Sequence, residues 1–266
     1  MTLRNKRLFL LDMDGTLYLD ETVFPKVPEF LARIRAQGGR FLYLTNNSSR
    51  GIDTYLEKMH RIGLPAERED FFTSVDAAIL FLKAQYGEEI LGRRIYLAGT
   101  RSFRTQLEKA GFLVTDTPDD DVFLVLSGFD TELTFQKLED VCILLGRGID
   151  WVATNPDWVC PTAYGYVPDC GSVCEMLTRA TGRRPRFIGK PEPLMAQAAM
   201  SLAGASPEET VLIGDRIYTD IACGVNAGID TVLVLCGETD QAGLEASEIK
   251  PTLAAADIAE LVERCF

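Results

Sequence analysis

The sequence lacks the segments that membrane and secreted proteins require. No stretch approaches the ~20 consecutive apolar residues that span a bilayer. The basic segment at the N-terminus is followed by only one short apolar run, Leu8–Leu11, too short for the apolar part of a signal peptide. The seven cysteines, an odd number spread through the chain, favour reduced thiols over a disulfide framework. We therefore expect a cytoplasmic protein with no membrane partner.

Positive charge is also scarce. The 266 residues carry 27 Lys and Arg against 39 Asp and Glu, a formal net charge of −12. No dense run of Lys and Arg occurs; the nearest to one is the short segment Arg183-Arg184-Pro185-Arg186, which is better explained as a solvated helix end than as a nucleic-acid patch. We expect no nucleic-acid partner, because an acidic chain repels phosphate backbones. An anionic substrate would need a local cation, namely a metal ion together with Lys or Arg.

The sequence lacks the residues that several hydrolytic mechanisms require. There is one histidine, His60, which excludes phosphohistidine chemistry with two histidines and argues against a histidine triad. No cysteine is followed by arginine at the spacing of thiol phosphatases, and no Gly-Lys-Ser/Thr phosphate loop occurs. The remaining candidates for chemistry are carboxylates, hydroxyls and single lysines.

The two ends of the chain repeat a short apolar run followed by an amphipathic stretch, which is typical of a parallel α/β sheet. The predicted strands are Leu8–Leu11, Phe41–Leu44, Phe187-Ile188, Thr210–Ile213 and Thr231–Leu235. The predicted helices are Val27–Gln37, Ile52–Ile62, Leu194–Leu202, Thr219–Ala227 and Ile258–Cys265.

The middle of the chain has a βα rhythm of its own. Strands are predicted at Ile95–Ala98, Val122–Leu126 and Trp151–Thr154, and helices at Phe103–Ala110, Phe135–Leu145 and Val173–Thr181. We predict a core domain formed by residues 1–72 and 186–266, with residues 73–185 inserted as a second α/β domain. The length of the chain permits a domain with such an insertion.

Polar residues follow three of the predicted core strands directly. Asp12 and Asp14 come after Leu8–Leu11, Thr45 and Asn46 after Phe41–Leu44, and Asp215 after Thr210–Ile213. If these strands are parallel neighbours, their polar ends meet at one edge, where ligands of such sheets bind. Lys190 and Asp220 would complete a cluster of carboxylates, hydroxyl and ammonium. Carboxylate oxygens suit Mg²⁺, and an aspartate can act as a nucleophile toward phosphorus.

Four ordered motifs carry a family resemblance. They are Asp12-x-Asp14-Gly15-Thr16, Thr45-Asn46-Asn47-Ser48-Ser49, Gly189-Lys190-Pro191 and Gly214-Asp215-Arg216-x-x-Thr219-Asp220. Together they resemble the motifs of the haloacid dehalogenase (HAD) superfamily. The Thr-Asn-Asn-Ser-Ser run, and an insertion between the second and third motifs, resemble its NagD-type branch with a C2 cap, which includes nitrophenylphosphatase-like, phosphoglycolate and pyridoxal phosphatases. The resemblance implies a Rossmann-like core with an inserted C2-type cap.

The resemblance also implies roles for the core residues. Asp12 would be the nucleophile, and Asp14 the acid for the leaving alcohol and then the base for water. Mg²⁺ would be bound by Asp12, Asp215 and the main-chain carbonyl of Asp14. The transferring phosphoryl group would be held by Thr45 and Asn46 and stabilised by Lys190. Asp220 would support the site.

For the inserted domain, the resemblance implies a lid that excludes water and selects the substrate. The family's Thr-Asn-x-Asp segment appears as Thr154-Asn155-Pro156-Asp157, so Asn155 and Asp157 would face the substrate. Its Pro-Gly-x-Gly-Ser segment appears as Pro168-Asp169-Cys170-Gly171-Ser172. Gly171 is retained there, but Asp169 replaces the usual glycine. This departure affects the expected substrate and not the expected reaction.

Some of these residues have simpler structural interpretations, which the sequence leaves open. Thr45 and Asn46 could be turn residues, and Asp220 could be an acid of a helix first turn. Asn155 and Asp157 could form an Asx-turn before Pro156. Core packing is expected for Trp151.

The resulting hypothesis is a Mg²⁺-dependent phosphatase that acts on small phosphorylated metabolites through an aspartyl-phosphate. Sugar phosphates, phosphoglycolate, pyridoxal phosphate and nucleotide monophosphates are all open as substrates. One alternative is a phospho-accepting signalling module, against which Asp14 and the large insertion both argue. Another is a phosphotransferase or mutase that uses the same intermediate. A homodimer is one option for the oligomeric state.

Overall fold

The computed structural model describes residues 2–162 and 164–266. Its strands are β1 (Leu8–Leu11), β2 (Tyr18–Leu19), β3 (Thr22–Val23), β4 (Arg40–Thr45), β5 (Phe71–Thr73), β6 (Arg94–Ala98), β7 (Leu113–Thr115), β8 (Val122–Ser127), β9 (Asp150–Ala153), β10 (Val159–Thr162), β11 (Gly165–Pro168), β12 (Arg186–Phe187), β13 (Thr210–Gly214), β14 (Asp230–Val234) and β15 (Leu253–Ala255).

Helices connect most of these strands. The α-helices are α1 (Val27–Ala36), α2 (Ile52–Arg61), α3 (Ser74–Tyr86), α4 (Arg101–Lys109), α5 (Phe135–Gly146), α6 (Cys170–Thr181), α7 (Leu194–Ala203), α8 (Ala222–Ala227), α9 (Gln241–Ala246) and α10 (Ile258–Cys265). Short 3-10 helices lie at Arg68–Asp70 and Glu88–Gly92, and a π-helical turn at Ile217–Ile221 precedes α8.

The chain divides into two compact units. The first comprises Met1–Thr45, Ile52–Phe72 and Lys190–Phe266, and the second comprises Asn46–Gly51 and Thr73–Gly189. The second unit thus includes the short segment after β4 as well as the middle of the chain. The division predicted from the sequence assigned that segment to residues 1–72, and the role of residues 73–185 as a cap stays a proposal.

The first unit contains a six-stranded sheet in the order β15-β14-β13-β1-β4-β5. The pairings of β1 with β13 and with β4 are parallel, so the three strands predicted to be parallel neighbours are confirmed as such. All four residues of β1 are buried, because both faces of a parallel sheet are covered, which explains the continuous apolar run. Phe9 on this strand packs edge-to-face against Phe30 of α1.

The second unit contains a five-stranded sheet in the order β12-β9-β8-β6-β7. Its pairings are also parallel. Trp151 on β9 is buried, as predicted, and its indole N–H donates to the Ser127 hydroxyl at 2.9 Å. The prediction of a parallel α/β architecture is therefore confirmed for both units.

Two predictions of individual elements need correction. The strand predicted at Phe187-Ile188 was grouped with the core, whereas β12 pairs with β9 in the sheet of the second unit. Helix α3 was not predicted, because apolar residues surround its axis and form no single stripe. It begins at a capping box in which Thr73 and Asp76 exchange hydrogen bonds.

Two further predictions concern the cysteines and membrane-spanning helices. All seven cysteines are free thiols, as the odd count indicated. Among the described residues, none of the helices combines the length and the apolar character that crossing a membrane requires.

Candidate active site

The polar residues after β1 and β13 lie side by side, because the two strands are in register. Leu11 pairs with Ile213, and the Asp12 amide continues the ladder by donating to the Ile213 carbonyl at 2.9 Å. Asp12 directly follows β1, and Asp215 directly follows the last residue of β13. The parallel ladder thus sets two carboxylates at the same edge of the sheet.

Lys190 joins two of the carboxylates. Its Nζ lies 2.6 Å from Asp12 Oδ1 and 2.6 Å from Asp220 Oδ1. A third hydrogen bond runs from Nζ to the Leu44 carbonyl in β4, at 3.1 Å. The lysine side chain is only 3% exposed, so these oxygens substitute for the water that the ammonium has lost. The structure therefore brings together three residues that are far apart in sequence.

Asp215 is held by two donors and enclosed by two glycines. Its Oδ1 accepts from the Thr16 hydroxyl at 3.0 Å, and its Oδ2 accepts from the Glu238 amide at 2.8 Å. A Cβ at Gly15 or Gly237 would lie 2.4 Å or 2.1 Å from Asp215 Oδ2. Gly15 also has a φ of +85°, which favours glycine. These contacts fix the carboxylate in one orientation.

Asp220 lies in the π-helical turn Ile217–Ile221 and is completely buried. Its Oδ2 accepts from the Arg216 amide at 3.1 Å, while Oδ1 accepts from Lys190. The simpler interpretation is therefore correct in part, since Asp220 is an acid of the first turn and accepts from the amide of its N-cap residue. It also contacts Lys190 at 2.6 Å, and its supporting role in the reaction stays a prediction.

The cluster has more negative than positive charge. Oxygens of Asp12, Asp215 and Asp220 all lie within 4.8 Å of one another, with one ammonium among them. Burial raises the pKa of the Asp12 carboxyl well above its ordinary value, and the Asp220 charge raises it further, while Lys190 opposes both. Burial and the Asp220 charge raise the pKa of Asp215 to about 6.

Lys190 responds in the opposite direction. Burial alone would lower the pKa of its ammonium, but the Asp12 and Asp220 carboxylates outweigh burial, so the pKa rises above its ordinary value. The lysine thus remains charged and offsets one carboxylate charge. A further cation would offset another, and a hard divalent ion such as Mg²⁺ matches these oxygen donors. The residues present therefore fit the predicted metal.

Asp14 differs from the other acids of the cluster. Its side chain is 49% exposed, and its Oδ1 lies 3.1 Å from Lys58 Nζ in α2. Lys58 is a residue that the sequence analysis missed. Its position three residues after the buried Tyr55 places it on the same side of α2, but this spacing is common and does not by itself indicate function.

The two predicted phosphate-binding residues follow one another at the end of β4. Thr45, the last residue of that strand, is buried in the first unit, and Asn46 is the first residue of the second unit. In the second unit, Asn46 Nδ2 lies 3.2 Å from both carboxylate oxygens of Asp157. The Asn46 carbonyl accepts from Asn155 Nδ2 at 2.9 Å and from the Ser74 hydroxyl at 2.7 Å. Asn46 is therefore a well-anchored residue.

The other residues predicted to select the substrate are also buried within the second unit. Asn155 is 0%, Asp157 6% and Asp169 5% exposed. The Asx-turn left open by the sequence is formed, since the Asp157 amide donates to Asn155 Oδ1 at 3.0 Å. Asp169 is the N-cap of α6. Gly171 packs so tightly that a Cβ there would lie 2.1 Å from the Pro156 carbonyl oxygen. Their contact with a substrate stays a prediction.

The comparison with known proteins agrees with the four motifs. Residues 9–113 match the family of haloacid dehalogenase-like hydrolases, and residues 187–261 match the HAD-hydrolase-like family. A 5′-nucleotidase of Bacillus subtilis (strain 168) is 32% identical over 96% of this chain and 96% of its own length. An acid sugar phosphatase of Staphylococcus aureus (strain MRSA252) is 29% identical over 98% of each chain.

Solved structures show the same likeness. The 4-nitrophenylphosphatase of Thermotoga maritima superimposes with a TM-score of 0.92, at 36% identity, over 99% of each chain. The glycerol phosphate phosphatase of Mycobacterium tuberculosis, solved in complex with magnesium, gives a TM-score of 0.91 at 27% identity, over 100% of this chain and 80% of that one.

This chain belongs to the haloacid dehalogenase-like hydrolases. It is a phosphatase of the NagD-like type, that is, a phosphoric monoester hydrolase that acts on small phosphate substrates. The signalling module considered from the sequence is therefore set aside.

Proposed function

We propose that this enzyme hydrolyses small-molecule phosphate monoesters through a phosphorylated Asp12, with Mg²⁺ as its cofactor. The observation that carries the proposal is the contact of one buried ammonium with Asp12 and Asp220, at 2.6 Å each, beside a third carboxylate, Asp215. This arrangement supplies a nucleophile, a fixed positive charge and an oxygen-lined metal site. Phosphoryl transfer depends mainly on such positioning and charge.

In the first step, an Asp12 carboxylate oxygen attacks phosphorus, and the bond from phosphorus to the leaving oxygen breaks. The bonding electron pair stays on the leaving oxygen, which takes a proton from Asp14 and departs as an alcohol. Lys190, which contacts Asp12 directly, stabilises the charge on the phosphoryl oxygens. Thr45 and Asn46 are proposed to bind the same oxygens.

In the second step, water attacks the phosphorus of phospho-Asp12 and gives a proton to Asp14. The bond between phosphorus and the Asp12 oxygen breaks, which releases inorganic phosphate and regenerates the carboxylate. Asp14 ends the cycle with the proton that it gave up in the first step, so the scheme balances.

Asp12, Asp215 and the main-chain carbonyl of Asp14 are the residues that would hold the cation. When bound, Mg²⁺ offsets the repulsion between the nucleophile and the phosphoryl oxygens. Asp220 is proposed to support the site, because it accepts from Lys190 and from the Arg216 amide and so orients the lysine. The magnesium complex of the M. tuberculosis phosphatase supports the choice of ion.

The proposal is tested with p-nitrophenyl phosphate and purified enzyme. Activity is expected with Mg²⁺, loss of activity with EDTA, and recovery when Mg²⁺ is returned in excess. Asp12→Asn should lower kcat by about 10³-fold or more, because it removes the nucleophile. Asp53→Asn is the matched control, since it removes an exposed carboxylate of the same unit, and it should keep full activity.

Activity that survives both EDTA and Asp12→Asn would refute the mechanism. Quenching during turnover and locating phosphate on Asp12 by mass spectrometry would test the intermediate directly. Comparing free phosphate release with transfer to an added alcohol would separate hydrolysis from the phosphotransferase alternative.

A further inference from the structure

Lys58 contacts the proposed acid/base but lies outside the four motifs. Its Nζ is 3.1 Å from Asp14 Oδ1 and 4.0 Å from the centroid of the Tyr18 ring. The lysine side chain is 16% exposed, whereas the carboxyl it meets is 49% exposed. The cation is thus largely withdrawn from water, although its partner is not.

The Tyr18 ring is a fixed platform for this ammonium. Tyr18 is 0% exposed, and its carbonyl accepts from the Gly15 amide at 2.9 Å, which closes the turn that directly follows Asp14. Its hydroxyl has no hydrogen-bond partner among residues 2–162 and 164–266, so the ring acts through its packing and its face. A cation over an aromatic face is attracted by the ring quadrupole.

Lys58 belongs to helix α2, a separate element from the turn that carries the Tyr18 ring. The helix buries Tyr55 and Met59, and Lys58 lies between them in sequence. Both ends of the contact are therefore anchored, since the ring belongs to the closed turn and the lysine to a helix packed through Tyr55 and Met59. An ion pair whose carboxylate is half-exposed adds little to stability, so the main effect of this contact is on geometry.

The geometry leaves one oxygen of Asp14 available. In the described parts of the chain, the carboxyl makes a single hydrogen bond, from Lys58 to Oδ1. Without that bond, a half-exposed aspartate would sample several rotamers in water. With it, the carboxyl plane is restrained, and Oδ2 is left for proton transfer.

We propose that Lys58, seated on the Tyr18 ring, is a positioning residue that holds the Asp14 carboxyl in the orientation used for proton transfer. The inference rests on the proposed function, because it takes Asp14 as the acid/base. It deepens that function by adding a residue from α2 that acts through Asp14 and does not itself contact the reacting atoms.

The test compares two substrates whose leaving groups differ in their need for a proton. Glycerol phosphate releases an alkoxide unless it is protonated, whereas p-nitrophenyl phosphate releases a stabilised phenolate. Lys58→Met should lower kcat/KM for glycerol phosphate by about 10- to 100-fold, the scale of a misplaced catalytic group. For p-nitrophenyl phosphate the fall should be less than about threefold. Lys58→Arg should recover part of the loss, and KM should change little.

A double-mutant cycle gives the second readout. In the Asp14→Asn background, Lys58→Met should cause no further loss on glycerol phosphate, because the group that it positions is gone. Lys26→Met is the matched control: it removes an ammonium paired with Glu263 in the same unit, and it should leave both rates within about twofold. Circular dichroism spectra of all variants check that they fold.

Equal losses on the two substrates, an undiminished loss in the Asp14→Asn background, or a rise in KM alone would overturn the inference. In each of these cases the proposed function stands, provided that the unaltered enzyme turns over p-nitrophenyl phosphate and Asp12→Asn does not. Failure of that last condition would refute the proposed function instead.

Discussion

The two sheets of this protein differ in the side chains that follow the carboxyl ends of their strands. In the first unit, the residues after β1 and β13 belong to a cluster of three carboxylates and one ammonium. In the second unit, the corresponding ends carry hydroxyls. Thr100 caps α4, Ser127 accepts from Trp151, and Thr154 lies 3.2 Å from the Ser48 hydroxyl.

The contrast extends to charge. The second unit also has a buried carboxylate, Asp130, whose side chain is 3% exposed, but Lys137 pairs with it at 2.6 Å, one to one. The same lysine donates to the Gly99 carbonyl at 2.9 Å. Parallel topology alone therefore does not make a catalytic site. One acid paired with one lysine leaves no excess charge, whereas three carboxylates around one ammonium leave negative charge that a cation can offset.

The largest effect that sharpens this comparison is expected from Lys190→Met. This change removes the ammonium that contacts both Asp12 and Asp220, so kcat on p-nitrophenyl phosphate should fall by at least about 10³-fold. Lys6→Met is the control, because Lys6 is also a buried lysine of the first unit, paired with Asp230 at 2.6 Å. The control should stay within about twofold, and a Lys190→Met enzyme retaining a tenth of its activity would contradict the prediction.

In the second unit, the equivalent substitution should lower the stability of the protein and leave the rate of the reaction unchanged. Lys137→Met leaves the Asp130 carboxylate buried without its cation, which should lower the free energy of unfolding by about 3 kcal/mol. Urea unfolding measures this loss. The Lys137→Met/Asp130→Asn double variant should recover part of it, since no charge is then left unpaired. A loss below about 1 kcal/mol would show that the two ion-pair sites are more alike than we infer.

The smallest effect is expected at Asp169, where the family has glycine. Asp169→Gly removes the side chain that caps α6, and glycine at an N-cap costs only a few tenths of a kcal/mol. We expect stability to be retained while the ratio of kcat/KM between a sugar phosphate and a nucleotide monophosphate changes several-fold. An unchanged ratio over a panel of such substrates would show that Asp169 is purely structural.

Much of the fold followed from apolar patterns. Strand β1 and helix α10 were predicted to the residue, because one is a continuous apolar run after a polar segment and the other has a clear stripe begun by the Asp257 cap. Helix α3 was missed for want of such a stripe. The β10–β11 hairpin was missed because none of its eight strand residues is buried, so no buried face imposes an apolar alternation on the sequence.

The acids and the lysine of the site were predicted because each follows a strand or belongs to a motif. Their partners were harder to predict. Lys58 and Glu238 lie in segments whose local sequence resembles many solvated ones, and only the folded chain brings the Glu238 amide to Asp215. The burial of Asn155 and Asp157 against Asn46 likewise depends on long-range contacts that periodicity does not encode.

Gly15, Gly214 and Gly237 have a consequence for how such sequences diverge. A Cβ at Gly214 would lie 2.4 Å from Asp220 Cβ, just as one at Gly15 or Gly237 would strike Asp215. A descendant could keep every acid and the lysine and still become a pseudoenzyme through one methyl group at any of these three places. Inventories of conserved acids would score such a descendant as active, so the glycines are the better markers of a working member.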